Sequence, residues 1–192
     1  MILASKSPRR KEILKQLGFQ VKIQVKDVEE ISSKVELIDK IKDISYKKVI
    51  EVAKENQNSF VVGADTLVEI GGEVLGKPKN ENEAREMLEK LSGKEHRVIT
   101  AYTLINLEKN INISEAVESK VFFKLISREE IDWYIESKEP MDKAGAYGIQ
   151  GLGAIFVDKI EGDFFSIMGF PINDFVKTLK KLGINIKDIQ KI

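Results

Sequence analysis

The chain has 192 residues, of which 42% are hydrophobic and 32% are charged, with 31 basic and 31 acidic side chains. This composition excludes a disordered chain, and the zero net charge argues against a protein that coats nucleic acid or an anionic membrane. Cys is absent and His96 is the sole His, so disulfides, Cys-ligated zinc and thiol catalysis are excluded, and a His-based zinc site or a Ser-His-Asp triad would rest on one residue.

Local patterns in the first third of the chain predict two strands and two helices. A short buried strand covers Ile2 to Ala4, and the helix after it has Ser7 as its N-cap and Pro8 in its first turn. Alternating apolar residues predict a half-buried strand from Phe19 to Val25. After an irregular charged stretch, a longer helix is predicted over roughly Leu37 to Glu55.

The rest of the chain alternates between predicted strands and helices. A central strand from Phe60 to Ala64 is expected to end at Asp65 and Thr66, and a hairpin follows at Val68 to Leu75. The later predicted elements are a helix capped by Asn80 and Glu83 that stops before Gly93, strands over Val98 to Leu107 and Val117 to Leu125, a helix opened by Ser127 and Glu130, a glycine-rich ordered loop over Glu139 to Gly153, a strand over Ala154 to Ile160, and a last helix from Pro171 to Gly183. His96 is predicted to be a turn or strand-start residue, neither a ligand nor a base.

This order of elements predicts the fold class. Strands that alternate with helices and then form hairpins are typical of an α/β protein with a mixed twisted sheet and flanking helices. No linker divides the sequence, so a single domain over residues 1–192 is expected, which is long enough to bury a substantial core.

The first candidate site is the turn from Ser5 to Arg10. Three cations, Arg9, Arg10 and Lys11, begin a helix whose amino terminus already carries partial positive charge. A phosphate would relieve this conflict, because the Ser5 and Ser7 hydroxyls, the helix N–H groups and two guanidinium groups could all bond its oxygens. The alternative is a solvated basic helix start with a Ser cap.

Two further candidates carry single charges. Asp65 follows an apolar strand, where α/β sheets place ligand groups, and it could bind Mg²⁺ or take a proton from water. Lys77, held between Gly76 and Pro78, could reach a phosphate. The alternatives are a turn Asp that bonds its own backbone and a solvated loop Lys.

The glycine-rich loop holds the fourth candidate, Gln150. Repeated Gly lets backbone approach a flat ligand, and the Gln amide could match the O4 and N3–H edge of uracil or thymine. The alternative is a structural turn with an incidental Gln. Together, the cations, the acid and this loop are what cleavage of a nucleoside triphosphate would require.

At these residues the sequence resembles the Maf family of nucleoside triphosphate pyrophosphatases. The matching blocks are Leu3 to Arg10, Gly63 to Thr66, Gly76 to Pro78, Leu91 to Gly93, Asp142 to Gly151 and Met168 to Pro171. The resemblance implies a fold related to the inosine triphosphate pyrophosphatases, with two lobes around a cleft. It also implies hydrolysis of a nucleoside triphosphate to the monophosphate and pyrophosphate with a divalent metal, Mg²⁺ or Mn²⁺.

The resemblance also implies roles for individual residues. Asp65 falls on the family's proton acceptor, and Arg9, Thr66 and Gln150 fall on positions linked to substrate choice. Glu30 and Lys48, with Lys47 beside it, lie where the family has an acid and a Lys that face the site. Metal would be held by Asp65 and Glu30.

The segment Gly148-Ile149-Gln150-Gly151 resembles the branch of the family that acts on dTTP and UTP. The resemblance therefore implies hydrolysis of dTTP and UTP, with modified uridine triphosphates in the same range. The alternative is a nucleotide-binding regulator of septum formation or cell division without significant turnover. A signal peptide and a membrane span are not expected, because the charge at Lys6 comes early and apolar runs are short. We expect a cytoplasmic protein, without nucleic-acid or membrane partners, and from the family a homodimer.

Overall fold

The fold is a mixed α/β arrangement, and the computed structural model describes residues 1–191. The strands are β1 (Ile2–Leu3), β2 (Lys22–Ile23), β3 (Val61–Ile70), β4 (Glu73–Leu75), β5 (Glu95–Asn106), β6 (Ile111–Phe123) and β7 (Val157–Glu161). The helices are α1 (Pro8–Gln16), α2 (Leu37–Glu55), α3 (Glu81–Leu91), α4 (Arg128–Glu136), α5 (Phe164–Met168) and α6 (Ile172–Lys181). None of the helices in the described chain is both long and apolar enough to cross a bilayer.

Seven strands form one sheet in the order β2-β1-β3-β5-β6-β7, and β4 pairs with β3 outside this path. β1 is parallel to both of its neighbours, β2 and β3, whereas the pairs β3–β4 and β6–β7 are antiparallel. The predicted fold class, a mixed sheet with flanking helices, is confirmed.

The chain divides into two compact units. The first comprises Met1–Asp65, Thr100–Val117 and the residues from Gly169 onward, and the second comprises Thr66–Ile99 and Glu118–Met168. The core of the first unit includes apolar residues of β1, α2, β3 and β5: Ile2, Ala4, Val49, Val52, Ala53, Val61 and Ile105. The core of the second includes α3, α4 and the ends of β5 and β6, with Leu88, Leu91, Val98, Phe123, Tyr134 and Phe156 among its members. The single domain over residues 1–192 stays a prediction.

Several predicted elements are confirmed together with the interactions that start them. α2 has the predicted bounds. Asn80 Oδ1 accepts a hydrogen bond from the Glu83 N–H at 2.9 Å at the start of α3. Ser127 and Glu130 form a reciprocal capping box at the start of α4. Local sequence signals are sufficient for these helix starts because both partners lie within one turn.

The strand predicted from Phe19 to Val25 was wrong in extent. β2 keeps only Lys22 and Ile23, and both are exposed. Its neighbour in the sheet, β1, is itself two residues long, so the ladder between them is short. Of the alternating apolar residues only Phe19 is buried, and it packs against Phe175 of α6 with ring centroids 5.8 Å apart.

The prediction that a strand ends at Asp65 was also wrong. β3 continues through Asp65 to Ile70 because Leu67 and Val68 remain buried. Glu69, only 5% exposed, is accommodated by Arg97 Nε at 2.5 Å and by the Gly72 N–H at 2.5 Å. The sequence did not indicate that the strand continues, because an acid such as Glu69 is not expected to be buried within a strand.

The ends of the other elements differ less. β5 and β6 are both longer than predicted, and β7 begins only at Val157 because residues 152–156 form a 3₁₀ turn. The loop from Glu139 to Gly153 is ordered, as predicted, through three such turns. The short helix α5 was not predicted.

His96 lies near the start of β5, as predicted, and is 2% exposed. Its Nε2 lies 2.8 Å from the Tyr147 hydroxyl, and its ring contacts Phe123 edge-on. Among the described residues none bonds its Nδ1. Burial lowers the pKa of His96 from 6.5 to about 4.

This buried imidazole makes stability depend on pH. In the unfolded chain His96 is protonated below pH 6.5, whereas in the folded chain it stays neutral down to about pH 4. The free energy of unfolding therefore falls as the pH falls through this window. We expect His96 to account for about 3 kcal/mol of loss between pH 7 and pH 4. Urea unfolding of the parent and of His96→Phe at both pH values measures it. Carboxylates contribute equally to the pH dependence of both proteins, so the difference between them reports on His96. The same change in the free energy of unfolding for parent and variant would contradict the expectation.

Candidate active site

The turn between β1 and α1 holds the predicted phosphate-binding residues around one hydroxyl. Ser5 is buried, and its Oγ accepts hydrogen bonds from the Ser7 N–H at 3.2 Å and from Arg10 Nη1 at 3.1 Å. Arg10 Nε also donates to the Gly169 carbonyl at 2.9 Å. The Arg10 guanidinium is therefore fixed on two sides by the first unit, and it does not extend into solvent.

The start of α1 lacks the usual negative groups. Ser7 occupies the N-cap position, but its side chain makes no capping bond, and the first turn contains no acid. Burial lowers the pKa of Arg10, while the negative charges of Asp65 and Glu30 oppose this shift. An Arg guanidinium stays protonated under such conditions, so the cationic turn and the two acids share one electrostatic environment.

Lys48 of α2 joins the two predicted acids. Its Nζ lies 2.6 Å from Asp65 Oδ1 and 2.9 Å from Glu30 Oε1. The side chains of Lys48 and Asp65 are 15% and 19% exposed, whereas that of Glu30 is 61% exposed. Lys47 points elsewhere, with its Nζ 2.6 Å from the Ile31 carbonyl. The structure thus brings Lys48, and not Lys47, to Asp65.

Because Gly63 has no side chain, α2 can approach β3 closely enough for this contact. A Cβ on Gly63 would lie 2.7 Å from Val49 Cγ2 and 3.4 Å from Ala4 Cβ. The Ser45 hydroxyl donates to the Gly63 carbonyl at 3.3 Å, which fixes the same face of the helix. Since Lys48 precedes Val49, this close packing sets the distance between the ammonium and Asp65.

Asp65 lies within β3, and its position beside β1 still places it at a strand end. β1 pairs with β3 only through Ile2–Val61 and Leu3–Val62, after which the chain leaves the sheet toward Ser5. Asp65 therefore follows the last residues that β1 covers. This is the edge of a parallel pair where α/β sheets present ligand groups.

Of the remaining predicted residues, three belong to the second unit, namely Thr66, Lys77 and Gln150. Thr66 is half-buried in β3, and Lys77 is exposed in the loop between β4 and α3. The Gly145 N–H donates to the Gly76 carbonyl at 3.0 Å, which ties the Lys77 loop to the glycine-rich segment. Gln150 is exposed in that segment. Arg9 is partly exposed in the first turn of α1, in the first unit.

The donor set suits a metal that is shared with a substrate. Within residues 1–191 no cluster of three or more His, Asp or Glu is arranged to hold an ion. Asp65 and Glu30 nevertheless converge on one cation, Lys48. Mg²⁺ is commonly held by one or two carboxylates together with substrate phosphates, so these residues fit such an ion.

Sequence reasoning assigned no role to two residues that shape this site. Gly169 supplies the carbonyl that fixes Arg10, and Ser45 anchors α2 to β3. Gly169 falls in one of the matching blocks, which was a usable signal. Ser45 lies outside all of them, and nothing in its local pattern distinguishes it from a solvated helix residue.

Comparison with known proteins identifies the family. The family model described as "Maf-like protein" matches residues 1–182. A dTTP/UTP pyrophosphatase of Fusobacterium nucleatum is 54% identical over 192 residues, covering 100% of both chains. A dTTP/UTP pyrophosphatase of Bacillus cereus is 46% identical over 187 residues, covering 97% of each. The solved structure of the Staphylococcus aureus Ham1 protein is 15% identical with a TM-score of 0.46, covering 64% of this chain and 70% of that one. The match over nearly the whole length confirms the predicted resemblance, and the chain belongs to the Maf family.

Proposed function

We propose that this chain hydrolyses dTTP and UTP to the nucleoside monophosphate and pyrophosphate. Relatives that it matches from end to end at 46–54% identity carry that activity in their names. One observation of the structure carries the chemistry, namely that Lys48 bonds Asp65 in the unit that also holds Arg10 on Ser5 and Gly169. The first unit thus offers a substrate both groups that can bind its phosphates, such as Arg10, and an acid, Asp65.

The proposed reaction is attack of water on the α-phosphorus. A bond forms between the water oxygen and the α-phosphorus while the bridge to the β-phosphate breaks, and pyrophosphate leaves. Asp65 accepts the water proton on Oδ2, because Lys48 already bonds Oδ1. Arg10, Ser5 and the start of α1 bind the phosphate oxygens and stabilise the charge that develops there. Arg9 adds positive charge in the first turn of α1, and a role in binding phosphate is proposed for Lys77 from the family resemblance.

The proposal includes a divalent cation, Mg²⁺ or Mn²⁺, held by Asp65 and Glu30 and by the substrate phosphates. When bound, such an ion neutralises phosphate charge and polarises the reacting phosphoryl group. Lys48 contacts both acids, so their negative charge is already partly compensated. Metal binding is therefore expected to depend on the presence of nucleotide.

Base selection is proposed to rest on Gln150, next to Gly151 in the exposed part of the loop. The amide can donate to O4 of uracil or thymine and accept from N3–H. Cytosine presents an amino group and an unprotonated nitrogen at the same two positions, so it is mismatched with an amide that is held in the orientation that serves uracil. A mismatched amide would then lower kcat/KM by about 10- to 100-fold. Thr66, beside Asp65, is proposed to contribute to the same choice.

A metal-dependent assay of pyrophosphate release tests the activity and the base preference together. With dTTP, UTP, CTP, GTP and 7-methyl-GTP, we expect kcat/KM for dTTP and UTP to exceed that for CTP by at least about tenfold. The release should stop when the metal is chelated. Preference for CTP or a purine would refute the role of Gln150. Tight nucleotide binding without release would instead favour the regulator of septum formation or cell division.

A further inference from the structure

Glu139 lies just beyond α4, and its carboxylate accepts three hydrogen bonds in the second unit. Oε1 accepts from the Tyr134 hydroxyl at 3.0 Å and from the Gly153 N–H at 3.2 Å. Oε2 accepts from the Leu152 N–H at 3.0 Å. Two of the three donors are backbone amides of the loop that carries Gln150.

The Tyr134 hydroxyl extends this set of bonds to the other end of the loop. It accepts from the Gly148 N–H at 3.2 Å while it donates to Glu139. Tyr134 is fully buried and stacks edge-on against Phe156, with ring centroids 5.0 Å apart. Burial also raises the pKa of Tyr134, so the hydroxyl remains a donor. The loop is thus anchored two residues before and two residues after Gln150.

The glycines of the loop leave little space between these anchors. A Cβ on Gly153 would lie 2.7 Å from both the Gly148 carbonyl oxygen and the Tyr134 hydroxyl. A Cβ on Gly151 would lie 2.9 Å from Glu139 Oε2, and Gly151 has a φ of +97°. The two ends of the loop therefore approach each other closely across Glu139 and Tyr134, with Gln150 exposed between them.

We propose that Glu139 is a positioning residue for base selection, which holds the loop from Gly148 to Gly153 in the shape that presents the Gln150 amide. This inference rests on the proposed function. A carboxylate is needed because it offers two acceptor oxygens to three donors. A Gln side chain would direct an NH₂ group at one of those donors. Because its carboxylate bonds Tyr134 and the backbone of the loop, Glu139 is proposed to act through Gln150.

The test compares Glu139→Gln with Glu136→Gln, which changes an exposed acid at the end of α4. For Glu139→Gln we expect KM for dTTP and UTP to rise about tenfold with kcat within about twofold of the parent, and kcat/KM for CTP to stay unchanged. Glu136→Gln should match the parent in every constant. A fall in kcat with all substrates at unchanged KM would overturn the proposal, because it would indicate a loss of folded enzyme only.

Coupling to Gln150 gives the sharper readout. In a Gln150→Ala background, Glu139→Gln should lower the ratio of kcat/KM for dTTP to that for CTP by less than about twofold, because the amide it positions is gone. Equal losses in both backgrounds would show that Glu139 acts independently of Gln150 and would overturn the proposal.

A second variant and a second measurement guard against a folding defect. Tyr134→Phe removes the other anchor and should shift the dTTP-to-CTP ratio in the same direction. Amide hydrogen exchange at Gly148, Leu152 and Gly153 should accelerate at least about tenfold in Glu139→Gln, and elsewhere stay as in the parent. Unchanged exchange at these three amides would refute the anchoring. If the parent hydrolyses neither dTTP nor UTP, the proposed function fails while this exchange experiment still decides whether Glu139 anchors the loop.

Discussion

Asp65→Asn is expected to lower kcat for dTTP by about 10³-fold, the largest effect of any single substitution in this chain. The amide cannot accept the water proton, and it cannot balance the charge of Lys48, which lies 2.6 Å away. Nucleotide should still bind, because the bonds that hold Arg10 on the Ser5 hydroxyl and the Gly169 carbonyl do not involve Asp65. Single-turnover kinetics and calorimetric titration with dTTP measure the two effects separately.

Asp43→Asn is the matched control for this experiment. Asp43 is also an acid in the first unit, and it also bonds a lysine of α2, with Lys47 Nζ 3.0 Å away. The control should keep kcat within about twofold of the parent. If Asp65→Asn hydrolysed dTTP at the parent rate, Asp65 would be neither the base nor a ligand of the reacting group. Loss of binding together with turnover would instead assign Asp65 to the metal–nucleotide complex alone.

Arg10→Lys is expected to lower kcat/KM for dTTP by about 10²-fold, although it conserves the charge. The guanidinium bonds Ser5 Oγ through Nη1 and the Gly169 carbonyl through Nε, which holds it at the start of α1, where a phosphate is proposed to bind. A lysine ammonium cannot hold both protein partners in this geometry and bond a phosphate as well. Steady-state kinetics should show KM for dTTP raised together with a lower kcat.

Arg128→Lys supplies the control for the substitution. Arg128 is exposed in the first turn of α4, so Arg128→Lys makes the same chemical change at the start of another helix. It should leave kcat/KM within about twofold of the parent. Urea unfolding of both variants separates catalysis from stability, since Arg10→Lys also removes hydrogen bonds worth about 1–3 kcal/mol. Parent-like kinetics in Arg10→Lys would mean that Arg10 serves only to fasten α1 to Gly169.

Helix positions were predictable from the sequence wherever the signals were local. The capped starts of α3 and α4 lie within one turn of their partners, and the apolar face of α2 repeats regularly over its 19 residues. Strand ends were less predictable, because they depend on the length of the neighbouring strand. β2 is short because its neighbour β1 is short, and the sequence between Phe19 and Val25 contains no signal for the length of β1.

The structure brings together three of the charged residues that the sequence predicted for the site, Glu30, Lys48 and Asp65, but their geometry was not predictable. Lys47 and Lys48 are equivalent in the sequence, and the choice between them depends on how α2 is rotated above β3. That rotation follows from the contact of Val49 with Gly63, 14 residues away in the chain. Glu139 was missed for a similar reason, because its amide partners lie 13 and 14 residues ahead in a 3₁₀ turn that the sequence pattern did not predict.

The two strands that end the sheet order are poor templates for further strand pairing. β2 offers only two residues and exposes Lys22, and β7 exposes Asp158, Lys159 and Glu161 within five residues. Short, charged edges discourage the edge-to-edge addition that leads to aggregation. Two copies of this chain are therefore not expected to associate by continuing one ladder into the next through β2 or β7.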